Sequence, residues 1–398
     1  GKTRRRRGLL LALAAPVAVL LVVGVVFAVR GLPGGDDNAG GGPPKSVKIG
    51  FAGALTGADS ASFGQPMLNG ARLAVNEYNA ANPAVRVELV TADTKGDPTQ
   101  APAAVQQLVG AGVVGVVGPV LTDEAQTTAP LFEQAQIPNI STAATGRSLS
   151  TNGWRFWHRL VASDKTGATS GAEFIARAAK PKRVVVVDDE TQYTRDVAAD
   201  VIAELEEQKV DVDTARISSQ DSEYSAAVNK IRSSGADMAF YGGRTGTAAR
   251  LIRQTREAGV DDVQFMLNDA ALSDELVSGA GGGNVEDTLI TCSCFDASQG
   301  TTQPAKDFRQ RYQRAFGGRP GYYTAEGYDA VLAFLAAVKA GRTTSAAINQ
   351  HLATVDIAGA SRKVRFGAGG DATDATVYVY RVQSGRIVLI GDTKTADL

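Results

Sequence analysis

One early segment of the chain changes from the hydrophobic period of a strand to that of a helix. Val47, Ile49 and Phe51 alternate with other residues, as in a β-strand. Apolar residues then recur at three- and four-residue steps from Met67 to Tyr78, as in an amphipathic helix. The loop between them is rich in glycine and serine, small residues that let a solute approach the backbone closely. Because open α/β sheets bind ligands beyond the carboxyl ends of their strands, this segment predicts a ligand-contacting loop.

The same alternation of strand and helix patterns continues along most of the chain. Short apolar runs predict strands at 47–52, 85–90, 113–118, 137–141, 183–189, 238–241 and 264–267. Amphipathic segments separate them, and two further helical stripes follow at 308–316 and 328–335. The chain ends in two strand patterns joined by a Ser384-Gly385 turn. This order predicts an α/β fold with parallel sheets, and 398 residues favour two lobes.

The amino-terminal sequence predicts a membrane anchor followed by a flexible linker. Residues 8–29 are apolar and uncharged, which is long enough to cross a bilayer, and four arginines precede them. The pattern predicts a basic cytosolic flank at 1–7, a transmembrane helix at 8–29 and an extracellular remainder. A cleaved signal peptide is the alternative. Residues 30–46, rich in glycine, proline and aspartate, are predicted to be a flexible linker.

The charge balance argues against a nucleic-acid partner. The whole chain carries a formal charge of −1, but six basic residues and no acidic ones lie in the first 30 positions. The remainder has 35 basic and 42 acidic side chains, a net charge of −7. A nucleic-acid surface needs a concentrated basic footprint, which this part of the chain lacks.

No motif in the sequence carries a recognisable catalytic chemistry. The segment GAGVVG at 110–115 matches the letters of a dinucleotide-binding fingerprint, but it closes a predicted helix and enters a strand. It is therefore interpreted as a helix end and tight connection. Neither histidine has an acid or nucleophile at useful spacing, so we expect a protein that is not an enzyme and that needs no cofactor or metal.

The chain has two cysteines, Cys292 and Cys294, on one face of a predicted strand. A local disulfide is one interpretation, since the compartment outside the cell permits it. Metal binding is the other, although two thiolates alone fall short of a tetrahedral zinc site.

Several polar residues follow predicted strands and are candidates for binding. Thr122 lies where a helix N-cap would present its hydroxyl beside free backbone amides, and Thr145 ends a strand that runs into small residues. Asp269 and Tyr193 follow strands of the second series, where a carboxylate would suit an ammonium group. Each has an ordinary alternative as a helix cap or a solvated loop residue.

Taken together, these segments resemble the type I periplasmic binding proteins, specifically the leucine, isoleucine and valine binding proteins of branched-chain amino-acid ABC transporters. The resemblance extends over nearly all of residues 46–398. It rests on GALTG, NGARLAVNEYN, DTKGDP, VVGPVLT, IPNISTAAT, DDETQY, AFYGG and YDAV in this order. It implies two Rossmann-like lobes joined by three crossovers, which close on a ligand about a hinge.

The resemblance also implies a role for each candidate residue. Thr122 and Thr145 fall where a ligand carboxylate is held, and the Ala143 carbonyl and Asp269 fall where the ligand ammonium is held. Phe63 and Tyr193 fall on aromatic walls of the pocket. Arg244 occupies a position where those proteins carry an aromatic residue, so a polar or acidic ligand side chain is expected there.

The crossovers implied by the resemblance fall near residues 162, 292 and 371. Lobe 1 is then predicted at 47–162 plus 292–371, and lobe 2 at 163–291 plus 372–398. A bridge between the two cysteines would lie at a hinge strand, so hinge stiffness is expected to depend on redox state.

The leading hypothesis is an extracytoplasmic solute-binding protein that captures a small amino acid or related zwitterion and presents it to an ABC permease. The alternative is a ligand-sensing ectodomain that signals to a cytosolic domain of the same chain, such as a Ser/Thr kinase. The predicted membrane span favours the alternative, because a transporter component that diffuses freely needs no such span.

Overall fold

The structure, a computed structural model, describes residues 46–56, 61–218 and 220–398. The predicted span at 8–29 and the flank at 1–7 lie outside these residues, as does the linker up to residue 45. Within the described ranges, no helix combines the length and the apolar character needed to cross a membrane.

The first sheet of the described chain has five parallel strands. They are β1 (Ser46–Gly53), β2 (Arg86–Asp93), β3 (Gly115–Val117), β4 (Asn139–Ser141) and β5 (Trp157–Arg159). Their spatial order is β2-β1-β3-β4-β5, with Ile49 of β1 paired to Leu89 on one side and Gly115 on the other. All five carboxyl ends therefore meet at one edge of the sheet.

The second sheet has seven strands in the described residues, in the order β14-β13-β10-β9-β8-β6-β7. They are β6 (Arg183–Asp188), β7 (Asp211–Arg216), β8 (Met238–Tyr241), β9 (Gln264–Leu267), β10 (Leu289–Cys292), β13 (Tyr378–Gln383) and β14 (Arg386–Asp392). The first five are parallel, and the last two form the expected antiparallel hairpin. Ser384 and Gly385 both have positive φ, as this turn requires. A separate small ladder pairs β11 (Ile357–Ala358) with β12 (Lys363–Val364).

Helices connect most of these strands. They are α1 (Ala61–Ala80), α2 (Ala101–Gly110), α3 (Thr122–Ala135), α4 (Asp164–Phe174), α5 (Gln192–Glu207), α6 (Ser225–Ser234), α7 (Thr245–Glu257), α8 (Asp274–Ala280), α9 (Gln303–Phe316), α10 (Thr324–Lys339) and α11 (Ser345–Leu352). The GAGVVG segment ends α2 at Gly110 and enters β3 at Gly115, so its interpretation as a helix end is confirmed.

Strand β6 shows why the parallel strands have continuous apolar sequences. Val184 and Val186 pack into one hydrophobic cluster, whereas Val185 and Val187 pack into another. All four are at most 1% exposed. A strand covered by helices on both faces needs apolar residues at every position, which explains the run RVVVV.

Helices α1 and α10 cross closely because glycine lies at their contact. A Cβ atom added to Gly70 would lie 1.9 Å from the Thr324 carbonyl oxygen, and one added to Gly327 would lie 2.2 Å from the Met67 carbonyl oxygen. The stripe from Met67 to Tyr78 predicted for α1 is buried in the same hydrophobic cluster as Tyr328, Val331 and Leu335 of the stripe predicted for α10. This contact attaches the helices that follow β10 to the first lobe.

The chain passes between the two sheets in three places. It leaves the first sheet after Arg159, returns after Cys292, and enters the second sheet again before Tyr378. Asp371 bridges to Arg159 at the third passage, so the first and third passages lie side by side. This is a two-lobed α/β architecture with a multiple-strand connection.

Candidate functional site

A cavity of about 210 Å³ lies beyond the carboxyl ends of strands from both sheets. Six of the seven residues predicted to bind the ligand line it. From the first sheet and its loops come Phe63, Thr122, Ala143 and Thr145, and from the second come Tyr193 and Asp269. The two lobes therefore contribute polar groups to one shared space.

Arg244 is not among the residues that line this cavity. It is exposed and precedes α7 with an extended backbone. Its charge therefore faces solvent, so Arg244 gives no basis in this geometry for the predicted polar or acidic ligand side chain.

Thr122 lies one residue further into its helix than its sequence pattern predicts. The N-cap of α3 is Leu121, and Thr122 is the first helical residue. Its hydroxyl accepts a hydrogen bond from the Gly146 amide at 3.1 Å. The hydroxyl proton therefore points elsewhere, and the first-turn amides of α3 suit a carboxylate beside it.

Two acidic residues follow Thr122 in the first turn of α3, where negative charge would oppose a bound carboxylate. Asp123 is exposed to solvent, whereas Glu124 is buried. Burial raises the pKa of the Glu124 carboxyl, which favours its neutral form and weakens its repulsion of an anion.

The loop after β4 presents Ala143 and Thr145 to the cavity. Ser141 supports this loop: its hydroxyl donates to the Pro119 carbonyl at 2.7 Å and accepts from the Ala144 amide at 3.1 Å. The Thr145 carbonyl accepts from the Asp164 amide at 2.8 Å, which ties the loop to the start of α4. These bonds leave the Thr145 side chain at the boundary between the lobes.

A second cavity of about 30 Å³ adjoins the first and shares Thr145, Asp269 and Cys292 with it. Asp164, at the start of α4, also lines this small space. Neither Asp164 nor Asp269 forms a salt bridge with any residue in the described part of the chain. Two carboxyl groups thus face a space that admits about one water molecule.

The electrostatics of this pair favour a cation. Burial, and to a smaller extent the charge of Asp164, raises the pKa of Asp269 to about 7. Burial also raises the pKa of Asp164, against the effects of a Thr145 hydrogen bond and of Arg159. An ammonium group beside the two carboxyls would favour their ionised forms and offset the cost of burying them.

Tyr193 is held at the cavity by the residue before Asp269. The Asn268 side-chain amide donates to the Tyr193 hydroxyl at 2.8 Å. Burial raises the pKa of Tyr193 well above its ordinary value, so the hydroxyl stays neutral. The ring is left as a wall beside Asp269.

The rest of the cavity is apolar. Its walls are aliphatic, aromatic and sulfur-containing, and they comprise Met67, Val120, Leu121, Leu272, Tyr322, Tyr323, Cys292 and Cys294. Phe63 packs edge-on against Tyr323 with 6.2 Å between ring centroids. The two cysteines form a disulfide, so the disulfide interpretation is confirmed for this pair.

Arg159 holds the Ala143–Thr145 loop from behind. It is completely buried and donates to the Gly146 carbonyl at 2.9 Å and the Ala144 carbonyl at 3.5 Å. The same guanidinium makes two bonds of 2.9 Å to the Asp371 carboxylate. One side chain thus joins the candidate ligand loop to the first and third passages between the lobes.

Four residues in or behind the site are not predicted from the sequence, namely Asp164, Met67, Tyr323 and Arg159. Asp164 follows Ser163, whose hydroxyl accepts from the Thr166 amide as an ordinary helix cap. The signal that would have found it is its place just beyond the strand next to β4 in the parallel sheet. The others resemble core or strand residues in sequence, and only their contacts distinguish them.

A family model described as "Periplasmic binding protein" matches residues 46–386 of this chain. The chain belongs to the periplasmic binding protein family. As a member of this family it is a solute-binding protein rather than an enzyme, and the type I fold with two lobes follows from the same match and from solved structures.

Curated relatives of this binding protein carry names that refer to amino acids. The "Amino acid binding protein" of Pseudomonas aeruginosa is 31% identical over 296 residues, which cover 73% of this chain and 78% of the relative. The "Leu/Ile/Val-binding protein homolog 3" of Brucella melitensis is 28% identical over 348 residues, 86% of this chain and 93% of the relative. The binding protein is therefore of the branched-chain amino-acid type.

Solved structures agree with the fold. A leucine binding protein from Thermotoga maritima has a TM-score of 0.73 at 27% identity, and the match covers 87% of this chain and 98% of that one. A Desulfitobacterium hafniense substrate-binding protein in complex with Leu has a TM-score of 0.75 at 22% identity, which shows the fold alone.

Replacing Arg159 by lysine tests whether this side chain positions the ligand loop. Lysine keeps the charge but loses the planar fork that reaches Asp371 and the loop carbonyls together. We expect R159K to weaken amino-acid binding at least about fivefold in calorimetry, since charged hydrogen bonds contribute about 1.5–3 kcal/mol.

Arg256 provides the matched control, because its guanidinium donates to three carbonyls of lobe 2 away from the cavity. We expect R256K to lower the melting temperature as R159K does, with little change in ligand affinity. Equal effects of the two variants on affinity would contradict a positioning role for Arg159.

The raised pKa of Asp269 predicts ligand affinity that depends on pH. Only the ionised carboxylate pairs with an ammonium, so with a pKa of about 7 the affinity should rise roughly tenfold from about pH 6 to about pH 8. D269N should bind weakly at both values and abolish this dependence, as measured by calorimetry.

The Asp269 carboxyl should make stability depend on pH in the opposite direction from ligand affinity. The pKa of Asp269 is about 7 in the folded protein and exceeds the ordinary aspartate value of 3.8, so between these pH values the ligand-free folded protein holds a proton that the unfolded chain releases. Ligand-free stability should therefore fall as the pH rises through this window, and D269N should be no less stable than the native chain at about pH 8. A lower melting temperature for D269N there would contradict the assignment.

Proposed function

We propose that this binding protein captures an amino acid with an apolar side chain in the shared cavity and delivers it to an ABC permease. The observation that carries the proposal is the convergence of Thr122, Ala143 and Thr145 from one lobe with Asp269 from the other. No bond is made or broken in this process.

The polar end of the cavity has groups of both signs, as a zwitterion requires. The first turn of α3 and the hydroxyls of Thr122 and Thr145 suit the ligand carboxylate. The Ala143 carbonyl and the carboxylates of Asp164 and Asp269 suit its ammonium. In this proposal the zwitterionic part of the ligand is the part held in a fixed orientation.

The apolar end supports an aliphatic or aromatic ligand side chain. Leu272, Met67 and the edge-packed pair of Phe63 and Tyr323 surround this end. A charged ligand side chain would be buried there without a partner, which costs several kcal/mol. We therefore expect acidic and amide side chains to be rejected.

Capture is proposed to occur by closure of the lobes about the three chain passages. Each lobe contributes part of the site, so a ligand that contacts both stabilises the closed arrangement. Lobe 1 is proposed at 47–162 plus 292–371 and lobe 2 at 163–291 plus 372–398, in keeping with the two sheets.

The proposal places the site outside the cytosol. The apolar run at 8–29 and the arginines before it support a single membrane span, although that run lies outside the described residues. The names of the relatives support capture of an amino acid, and the name of the similar Desulfitobacterium hafniense structure refers to an ABC transporter. No feature of the described residues favours the ligand-sensing alternative, so it is not proposed.

Calorimetry with each of the common amino acids tests the function directly. We expect leucine, isoleucine, valine or an aromatic amino acid to bind, and aspartate and glutamate not to bind. D269A should weaken the binding of the preferred amino acid by more than about tenfold, because the buried ammonium loses a charged partner.

R244A is the control, because Arg244 is exposed and outside the cavity lining. Its affinity should match that of the native chain. Failure of every amino acid to bind would refute the function, and a large effect of R244A would refute the placement of the side-chain pocket.

A further inference from the structure

The Cys292–Cys294 disulfide lies in the wall of the ligand cavity and at a passage between the lobes. Both cysteines line the 210 Å³ cavity, and Cys292 also lines the smaller one beside Asp269. Cys292 is the last residue of β10, after which the chain leaves the second sheet. The bond therefore belongs both to the site and to a passage between the lobes.

The backbone on both sides of the bond is anchored. The Ser293 carbonyl accepts from Arg362 at 2.5 Å, and the Phe295 amide donates to Glu326 at 2.8 Å. Arg362 and Glu326 themselves form a buried ion pair at 2.9 Å. The Cys294 carbonyl accepts from the Tyr380 hydroxyl at 2.9 Å. These contacts hold the main chain in place whatever the state of the sulfur atoms.

Reduction must then move side chains rather than backbone. Bonded sulfurs lie about 2.05 Å apart, whereas non-bonded heavy atoms need about 3.5–4.0 Å. With the backbone anchored, at least one Sγ atom must rotate toward the cavity or toward Tyr323, whose hydroxyl lies 3.7 Å from Cys292 Sγ. Tyr323 packs on Phe63, so either movement changes the ligand wall.

We propose that Cys292 and Cys294 form a redox site coupled to the ligand cavity, with the disulfide form binding the ligand more tightly than the dithiol form. The proposal deepens the function given above and rests on it. It concerns regulation of the same site by the thiol–disulfide balance of the surroundings.

The chemistry is exchange with a dithiol reductant. A thiolate of the reductant attacks one sulfur of the pair, releasing the other as a thiolate and forming a mixed disulfide. The second thiol of the reductant then displaces the first cysteine. The reductant becomes a disulfide, and two electrons and two protons are transferred to give the two cysteine thiols.

A ligand in the cavity should also limit the access of a reductant to the disulfide. Cys292 is 2% exposed and Cys294 is completely buried, while both line the ligand cavity. A ligand in that cavity would cover the sulfurs from the attacking thiolate. Bound ligand therefore slows reduction, and by linkage it also makes the disulfide harder to reduce at equilibrium.

The test compares the full chain before and after treatment with dithiothreitol, using the amino acid that binds best in calorimetry. We expect the reduced chain to bind at least about threefold more weakly. The double variant C292S/C294S should resemble the reduced chain and should not respond to dithiothreitol, which controls for other effects of the reductant. The comparison of the oxidised and the reduced native chain uses no variant. It therefore remains a valid test even if C292S/C294S fails to fold.

If the redox state changes ligand affinity, ligand binding must also change the reduction potential of the disulfide, which can be measured independently. Alkylation and mass spectrometry in a dithiol redox buffer give the midpoint potential with and without saturating ligand. A tenfold difference in affinity between the two forms requires the ligand to lower this potential by about 30 mV. Equal affinities with an unshifted midpoint would overturn the coupling alone. Absence of any amino-acid binding to the oxidised chain would overturn the function as well.

Discussion

The candidate site depends on two acidic side chains at the boundary between the lobes that have no basic partner within the described residues. Asp164 and Asp269 face one small cavity, and neither forms a salt bridge within the described part of the chain. The two nearby arginines are already paired, Arg159 with Asp371 and Arg147 with Asp200. Both carboxyl groups belong to the proposed lobe 2, so closure of lobe 1 over them would favour a cation beside the pair, and a ligand ammonium would supply that cation.

The fold places these groups through long-range contacts rather than local ones. Arg159 joins the Ala143–Thr145 loop to Asp371, which is 212 residues further along the chain. The disulfide and the Arg362–Glu326 ion pair lie at the second passage between the lobes. The residues that support the ligand loop thus also lie at the passages between the lobes, which would link the geometry of the site to the proposed lobe closure.

Much of this architecture can be predicted from the sequence because its signals are local. The run RVVVV and the stripe from Met67 to Tyr78 identify their elements, since burial on both faces or on one face leaves a periodic trace. Thr122, Thr145 and Asp269 could be proposed because they follow parallel strands. The edge on which a residue lies can be predicted in this way. The direction in which its side chain points cannot be predicted in this way. Arg244, for example, also follows a strand but is exposed to solvent. Asp164 was not predicted as a site residue, because an acidic side chain after a serine N-cap is common at the start of a helix.

The central claim is that the ligand ammonium is the charge that the two lobes share. Calorimetry with the preferred amino acid and with the 2-hydroxy acid of the same side chain isolates this group, because the two molecules have the same carboxylate and the same apolar part. The account predicts that the hydroxy acid binds at least about a hundredfold more weakly, the loss expected when two buried charged hydrogen bonds disappear. Equal affinity for the two molecules would contradict it.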